Sequence, residues 1–119
     1  MRKIAALVVL AALAAVPAAL AKERNLSMVG APASPFVGKA WTLTIKTTID
    51  GRPADGMGPM VRVISSEGRT IRTPAKQTAK AGIYRASIVF PAPGLWRVLA
   101  LDRYSGHSYE FRRVRVRDV

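Results

Sequence analysis

The chain of 119 residues contains no cysteine and carries a formal net charge of +12, from 19 lysines and arginines against 7 aspartates and glutamates. The lack of cysteine excludes disulfides, thiol catalysis, thiolate metal sites and iron–sulfur clusters, so the fold must rest on packing and backbone hydrogen bonds. With 1 histidine in the whole chain, acid–base catalysis has few candidate residues.

The N-terminal residues have the order of a secretory signal peptide. Two basic residues follow Met1, an unbroken apolar run extends from Ile4 to Val16, and Pro17 and small residues precede a cleavage position after Ala21. The apolar run is short for a membrane span. We predict a signal peptide over residues 1–21 and export to the periplasm or the extracellular space; an uncleaved N-terminal anchor is the alternative.

The basic excess points to an anionic partner. Removing Arg2 and Lys3 with the signal peptide lowers the net charge from +12 to about +10. An exported protein rarely meets nucleic acid, so no nucleic acid is expected. Anionic lipid head groups, acidic envelope polymers or an acidic protein are better candidates. A basic surface that serves only solubility is the alternative.

Residues 22–35 are rich in proline, glycine and small side chains, which predicts a flexible leader with a candidate edge strand at Leu26–Val29. The folded domain is predicted over residues 36–119. From Lys39 to Ile49 apolar and polar residues alternate, which indicates a half-buried strand. The stretch Asp50–Met60 is dense in glycine and proline and predicts a loop.

Two short strands and a connection follow that loop. Val61 and Val63 are expected to point inward on the first strand, and Glu67–Gly68 marks a turn. Arg69–Thr73 then reads as a second short strand. No apolar stripe is sustained over Ala75–Ala81, which predicts a connection.

The segment "GIYRASIVFPAPGLWRVLALD" contains two apolar runs joined by "PAPG" at residues 91–94. Each run begins with a glycine and then an aromatic residue, at Tyr84 and Trp96, which predicts strand entrances into one core. The second run is apolar on both faces except at Arg97, which favours a central strand that is covered on both sides or paired into a deep core. "PAPG" is predicted to be a turn between antiparallel neighbours.

The last strand, "SYEFRRVRVRDV", changes phase in the middle. Tyr109 shares a face with Phe111, and Val114 with Val116, so the alternation slips at Arg112–Arg113, which predicts a β-bulge. A solvent-facing row of arginines follows. The candidate surface for an anionic partner is Arg112, Arg113, Arg115 and Arg117. An edge that repels other strands is the alternative use of this row.

About seven short strands, with turn signals every ten residues or so, predict an all-β fold: an immunoglobulin-like antiparallel β-sandwich. The order of "VGKAWTLTIKTTIDGRPADG", "PMVRVISSEGRT" and "AGIYRASIVFPAPGLWRVLALD" resembles small exported immunoglobulin-like domains of the YtkA-like or FixH-like kind. This resemblance covers about residues 36 to 102, and it rests on strand-entry glycines and core aromatics.

The resemblance implies a second expectation, because some relatives of such domains are associated with copper handling through methionine and histidine ligands. In this chain Met57, Met60 and His107 are the candidate metal ligands, and thioether and imidazole suit Cu(I). The sequence has no methionine-rich cluster and no second histidine. The expectation is therefore no cofactor, with copper as the alternative.

Other site chemistry has weak support in the sequence. Asp102, Ser105 and His107 lie close together in one predicted turn, but adjacency in a hairpin is not the geometry of a catalytic triad. Asp50 and Asp55 flank a glycine-rich loop without the spacing or the terminal glutamate of an EF-hand calcium loop. We therefore expect turn-forming roles for Asp102, Ser105 and His107, and no calcium site at Asp50 and Asp55.

Trp41 and Trp96 are large enough for a carbohydrate platform, yet their strand phase places both among inward residues, which predicts core packing. The sequence thus favours an exported, non-catalytic binding or accessory module of the bacterial envelope. Two alternatives stay open. One is a periplasmic copper-handling protein, and the other is a membrane-surface protein held by an uncleaved signal anchor and its basic face.

Overall fold

The computed structural model describes residues 23–30 and 32–118, and within them it consists of strands and their connections. In chain order the strands are β1 (Arg24–Met28), β2 (Ala40–Ile49), β3 (Arg52–Pro53), β4 (Met60–Ser65), β5 (Thr70–Pro74), β6 (Lys76–Gln77), β7 (Ile83–Val89), β8 (Gly94–Leu101) and β9 (Ser108–Val116). This part of the chain has no helix that could cross a membrane. The predicted signal peptide lies outside the described residues.

The strands form two antiparallel sheets. The first has the order β1–β2–β7–β6, with β3 paired to β2, and the second has the order β5–β4–β8–β9. Of the nine strands described, β3 and β6 have two residues each, so seven are of ordinary length. The predicted all-β antiparallel sandwich is confirmed, and the strand order is compatible with the immunoglobulin-like arrangement.

The core lies between the sheets and follows the predicted period of two. Trp41, Phe90 and Trp96 meet at its centre: the Phe90 ring lies 5.7 Å from the Trp41 ring and 5.3 Å from the Trp96 ring, centroid to centroid. Both tryptophans are at least 95% buried, with 5% and 1% of their surface exposed, so the predicted core role is confirmed. Large aromatic rings in such tilted contacts contribute more than their buried area alone.

Thr47 takes an inward position on β2 that an apolar side chain would ordinarily fill. Its side chain has no exposed surface, and its hydroxyl donates to the carbonyl of Ala54. The backbone of Gly82 crosses next to it with a φ of 70°, in the left-handed region that favours glycine. A Cβ at Gly82 would lie 2.7 Å from the Thr47 carbonyl oxygen. This close crossing ties the loop after β2 to the start of β7.

One expectation about the segment that joins β7 to β8 is wrong. "PAPG" does not join paired neighbours, because β7 belongs to the first sheet and β8 to the second, so the segment carries the chain across the sandwich. β8 is central in its sheet, as predicted, but its outer face is not fully covered. On that face Leu99 is 7% exposed, whereas Leu95, near the start of the strand, is 37% exposed.

The candidate edge strand in the predicted leader is present, and two further short pairings occur where a loop and a connection were predicted. β1 lies in the segment predicted to be a leader, pairs with β2 at the predicted edge position, and buries Leu26 to 3% exposure. β3 lies in the predicted loop and β6 in the predicted connection. β3 and β6 have two residues each, too few to show an alternation of apolar and polar residues in the sequence.

Candidate anion-binding cleft

The arginines of β9 owe their placement to a bulge. Val98 pairs with Arg112 and Leu99 with Glu110, so Phe111 is the extra residue on β9. The predicted bulge is therefore present, one residue earlier than the Arg112–Arg113 step. After the bulge Val114 points into the core with 8% of its surface exposed, which leaves the arginines on either side of it in solvent.

A cleft of about 190 Å³ lies between the outer edge of β9 and the segment Pro32–Pro35. Besides the prolines and Ala33 of that segment, Trp41 and Val114 contribute apolar groups to its lining. The structure brings all four arginines of the predicted anionic-partner surface to this one cleft: Arg112, Arg113, Arg115 and Arg117. These arginines could be predicted from the sequence because arginine alternates with valine along the last strand. The opposite wall was not predicted.

Three hydrogen bonds hold that opposite wall. Phe36 and Arg117 form a parallel bridge, in which the amide of Arg117 donates to the Pro35 carbonyl at 3.2 Å and the amide of Val37 donates to the Arg117 carbonyl at 2.9 Å. The indole Nε1 of Trp41 donates to the Ala33 carbonyl at 2.6 Å. The wall is therefore fixed both to β9 and to a core side chain.

The electrostatics of the cleft are one-sided. No acidic residue lines it. In the described part of the chain the ion pairs are Arg24–Asp102, at 3.9 Å, and Arg97–Glu110, so the four cleft arginines make none there. Guanidinium groups without a protein carboxylate are suited to bind phosphate or carboxylate groups through charge-assisted hydrogen bonds.

The nearest carboxylate along β9 is already occupied. Glu110 accepts hydrogen bonds from the guanidinium of Arg97 on β8, with a distance of 3.2 Å from Nε. This hydrogen bond lowers the pKa of the Glu110 carboxyl, and the charge of Arg97 acts in the same direction. The charge of Arg113, one of the cleft arginines, also lowers this pKa. Glu110 is therefore ionised and hydrogen-bonded to Arg97, and it offsets only part of the positive charge along β9.

Arg112 also faces a second depression. This depression, of about 500 Å³, lies between β1 and β9 and is lined by Ser27, Met28, Phe111 and Arg112, among others. β1 and β9 are edge strands of their sheets, so this depression lies along the open side of the sandwich. The two concave regions are neighbours that share the Arg112 side chain.

The candidate metal ligands lie in three different environments. Met57 is packed in the core with 1% of its surface exposed, and Met60 is half-buried at the start of β4. His107 is exposed, and its ring lies 4.8 Å from the ring of Tyr109. Within residues 23–30 and 32–118, no three histidine or acidic side chains form a metal-binding group.

Asp102, Ser105 and His107 lie in the turn between β8 and β9. Asp102 is buried, and its Oδ1 accepts from the amide of Tyr104 at 2.9 Å, while its Oδ2 accepts from the Ser105 hydroxyl at 2.8 Å. The contact of His107 with Ser105 runs from its backbone amide, at 3.3 Å, and not from its imidazole. A serine bonded to the aspartate in this way is not a nucleophile activated by histidine.

Asp50 and Asp55 also act on backbone groups. Asp50 accepts from the amide of Glu23 and Asp55 from the amide of Gly82, each at 2.9 Å. These bonds tie β1 and β7 to the loop after β2.

The protein-family models that were compared include none that matches this chain, and no curated protein matches it in sequence.

Proposed function

We propose that the chain is an exported, non-catalytic binding module that holds an anionic partner in the arginine cleft. The observation that carries this proposal is that four arginines line one cleft whose lining includes no acidic residue. Anionic groups gain most where guanidiniums are held together and are not already paired within the protein. Envelope components that offer phosphate or carboxylate groups are partners of this chemistry.

The shape of the cleft supports a dedicated site over a merely basic surface. One wall is held by the backbone bridge at Phe36–Arg117, and Trp41 is fixed by its bond to Ala33. A preformed wall lowers the entropy that binding must overcome. The resemblance to YtkA-like and FixH-like domains belongs to this proposal, supported by a strand order compatible with an immunoglobulin-like sandwich.

The test is calorimetric titration of the full-length protein with inorganic tripolyphosphate at several salt concentrations. The variant Arg112→Gln/Arg115→Gln removes two positive charges from the cleft. The matched control, Arg62→Gln/Arg72→Gln, removes two charges from a pair that lies cross-strand on β4 and β5, away from the cleft. We expect the first variant to weaken binding by about tenfold or more and the second by less than about twofold.

Equal losses in both variants would contradict the proposal, because binding would then follow the overall charge and not the cleft. Urea unfolding of each variant provides the control for folding. Export is tested separately, by fractionation of cells and N-terminal sequencing of the mature protein, with a new terminus after Ala21 as the expected result.

A further inference from the structure

The backbone N–H and C=O groups on the outer edge of β9 indicate which kind of ligand the cleft can bind. Both backbone groups of Arg117 point away from β8, because its amide and its carbonyl bond to Pro35 and Val37. Alternate residues of a strand direct their N–H and C=O groups to the same edge. Arg115 and Arg113 lie two and four positions before Arg117, and both follow the bulge at Phe111. Their N–H and C=O groups therefore point to the same outer edge, which faces the cleft.

This outer edge has no strand beside it in the described part of the chain. β9 is the last strand of its sheet, and the only pairing on its outer side there is the single bridge at Phe36–Arg117. Before that bridge the segment Pro32–Pro35 forms the far wall of the cleft instead of pairing with β9. The cleft thus combines open backbone donors and acceptors with arginine side chains.

We propose that the ligand of the cleft is an acidic peptide segment in extended conformation, which pairs with β9 at Arg113 and Arg115 as an added strand. The inference rests on the proposed function and specifies its ligand. Strand addition draws its affinity from main-chain hydrogen bonds and its specificity from alternate side chains. Here carboxylates at every second position of the peptide match arginines at every second position of β9, at a repeat of about 7 Å.

The mixture of donors and acceptors is what favours a peptide over other polyanions. A phosphate chain offers acceptors only, so it would satisfy the amides of the β9 edge and leave its carbonyls without partners. A membrane surface is flat and cannot enter a cleft walled by Pro32–Pro35. A second copy of this chain is disfavoured, because arginine rows on two β9 strands would repel each other.

The test uses a labelled, blocked peptide of alternating threonine and glutamate and fluorescence anisotropy with the full-length protein. Two further probes carry N-methyl groups, one on the glutamate amides and one on the threonine amides. Both keep every charge, but each removes the N–H groups of one edge of the peptide. We expect one methylated probe to bind about tenfold or more weakly and the other about as well as the parent, because only one edge faces β9.

Two protein variants complete the test. Arg113→Gln/Arg115→Gln is expected to weaken the parent peptide by about tenfold or more, and Arg62→Gln/Arg72→Gln by less than about twofold. Equal affinity of all three peptides would overturn strand addition while leaving the anionic cleft in place.

The remaining outcomes separate the ligand classes. If tripolyphosphate or phosphatidylglycerol vesicles bind and the acidic peptide does not, the peptide is ruled out as the ligand. Binding of tripolyphosphate to the cleft would in that case still support the proposed function. Failure of every anionic probe would overturn both.

Discussion

The hydroxyl of Ser105 donates a hydrogen bond of 2.8 Å to Oδ2 of Asp102, a carboxylate with no exposed surface that closes the β8–β9 turn. Arg24, 3.9 Å from the same carboxylate, also lies over the Tyr104 ring at 4.3 Å and thereby links β1 to this turn. We predict that Asp102→Ala destabilises the fold by about 2 kcal/mol, because the amides of Tyr104 and Ser105 and the guanidinium of Arg24 lose their buried acceptor. Urea unfolding measures this, with the exposed Asp118→Ala expected to change stability by less than about 0.5 kcal/mol.

The close packing around Gly82 predicts a large loss of stability on substitution, and Gly51, which has a similar φ, is the matched control. Gly82→Ala would bring a Cβ to 2.7 Å from the Thr47 carbonyl oxygen, and to 3.1 Å from the amide of Ala54. Gly51→Ala meets nothing within 4 Å, although its φ of 78° is also positive. We expect a loss of about 3 kcal/mol or more for the first variant and about 1 kcal/mol for the second. Equal losses in urea unfolding would mean that φ alone restricts Gly82.

Phe90 fills the space between the two tryptophan rings and has no exposed surface. Phe90→Ala should cost about 3–5 kcal/mol, because the cavity left between rigid rings cannot collapse. The adjacent Val89 is 51% exposed, and Val89→Ala should cost less than about 1 kcal/mol. Thermal unfolding followed by tryptophan fluorescence measures both variants, and a small loss for Phe90→Ala would contradict the packing described here.

Glu110 is predicted to titrate below the usual range for glutamate. Its hydrogen bond with Arg97 lowers the pKa of the carboxyl, so the pair contributes to stability above the usual glutamate pKa and is lost as the pH falls through the lowered value. Carboxyl carbon NMR of the folded protein should show the low midpoint, and Arg97→Gln should return it toward the ordinary value. An unchanged midpoint in that variant would assign the shift to other charges.

The burial of Met57 leads to a prediction about copper. A thioether with 1% of its surface exposed must leave the core to meet a metal, which costs the free energy of its burial. We therefore expect Cu(I) to leave the thermal midpoint unchanged, and Met57→Leu to cost less than about 1.5 kcal/mol because the volume is retained. A midpoint that rises with Cu(I) and falls back in His107→Ala would instead support a methionine and histidine site.

Much of the sandwich could be predicted because its strands bury one face. The inward rows on β2, β7 and β8 follow the period of two in the sequence, and the phase change on β9 correctly indicated a bulge. Thr47 shows the limit of this pattern, since a hydroxyl can take a core position when two backbone carbonyls, those of Ala54 and Gly82, lie within its reach. Such partners come from distant parts of the chain and leave no local signal.

For a related reason, neither the pairing partners of the strands nor the Pro32–Pro35 wall of the cleft could be predicted from the sequence. The turn residues of "PAPG" indicate that the chain reverses, but they do not say whether the next strand pairs in the same sheet or crosses to the other. Pro32–Pro35 looks like a linker by composition, and only the bonds to Arg117 and Trp41 make it a wall. The arginines could be predicted as a surface, whereas their common cleft depends on these long-range contacts.

The crossing at "PAPG" also sets how this chain folds. Ala40 pairs with Val89 and Met60 with Leu101, so the centre of each sheet forms only when residues far apart along the chain meet. Loop closure over such distances is entropically expensive and no disulfide shortens it here. Chains dominated by non-local pairing fold on a timescale of about milliseconds to seconds. We expect the same of this chain, so that its strand edges stay unpaired for that time after synthesis.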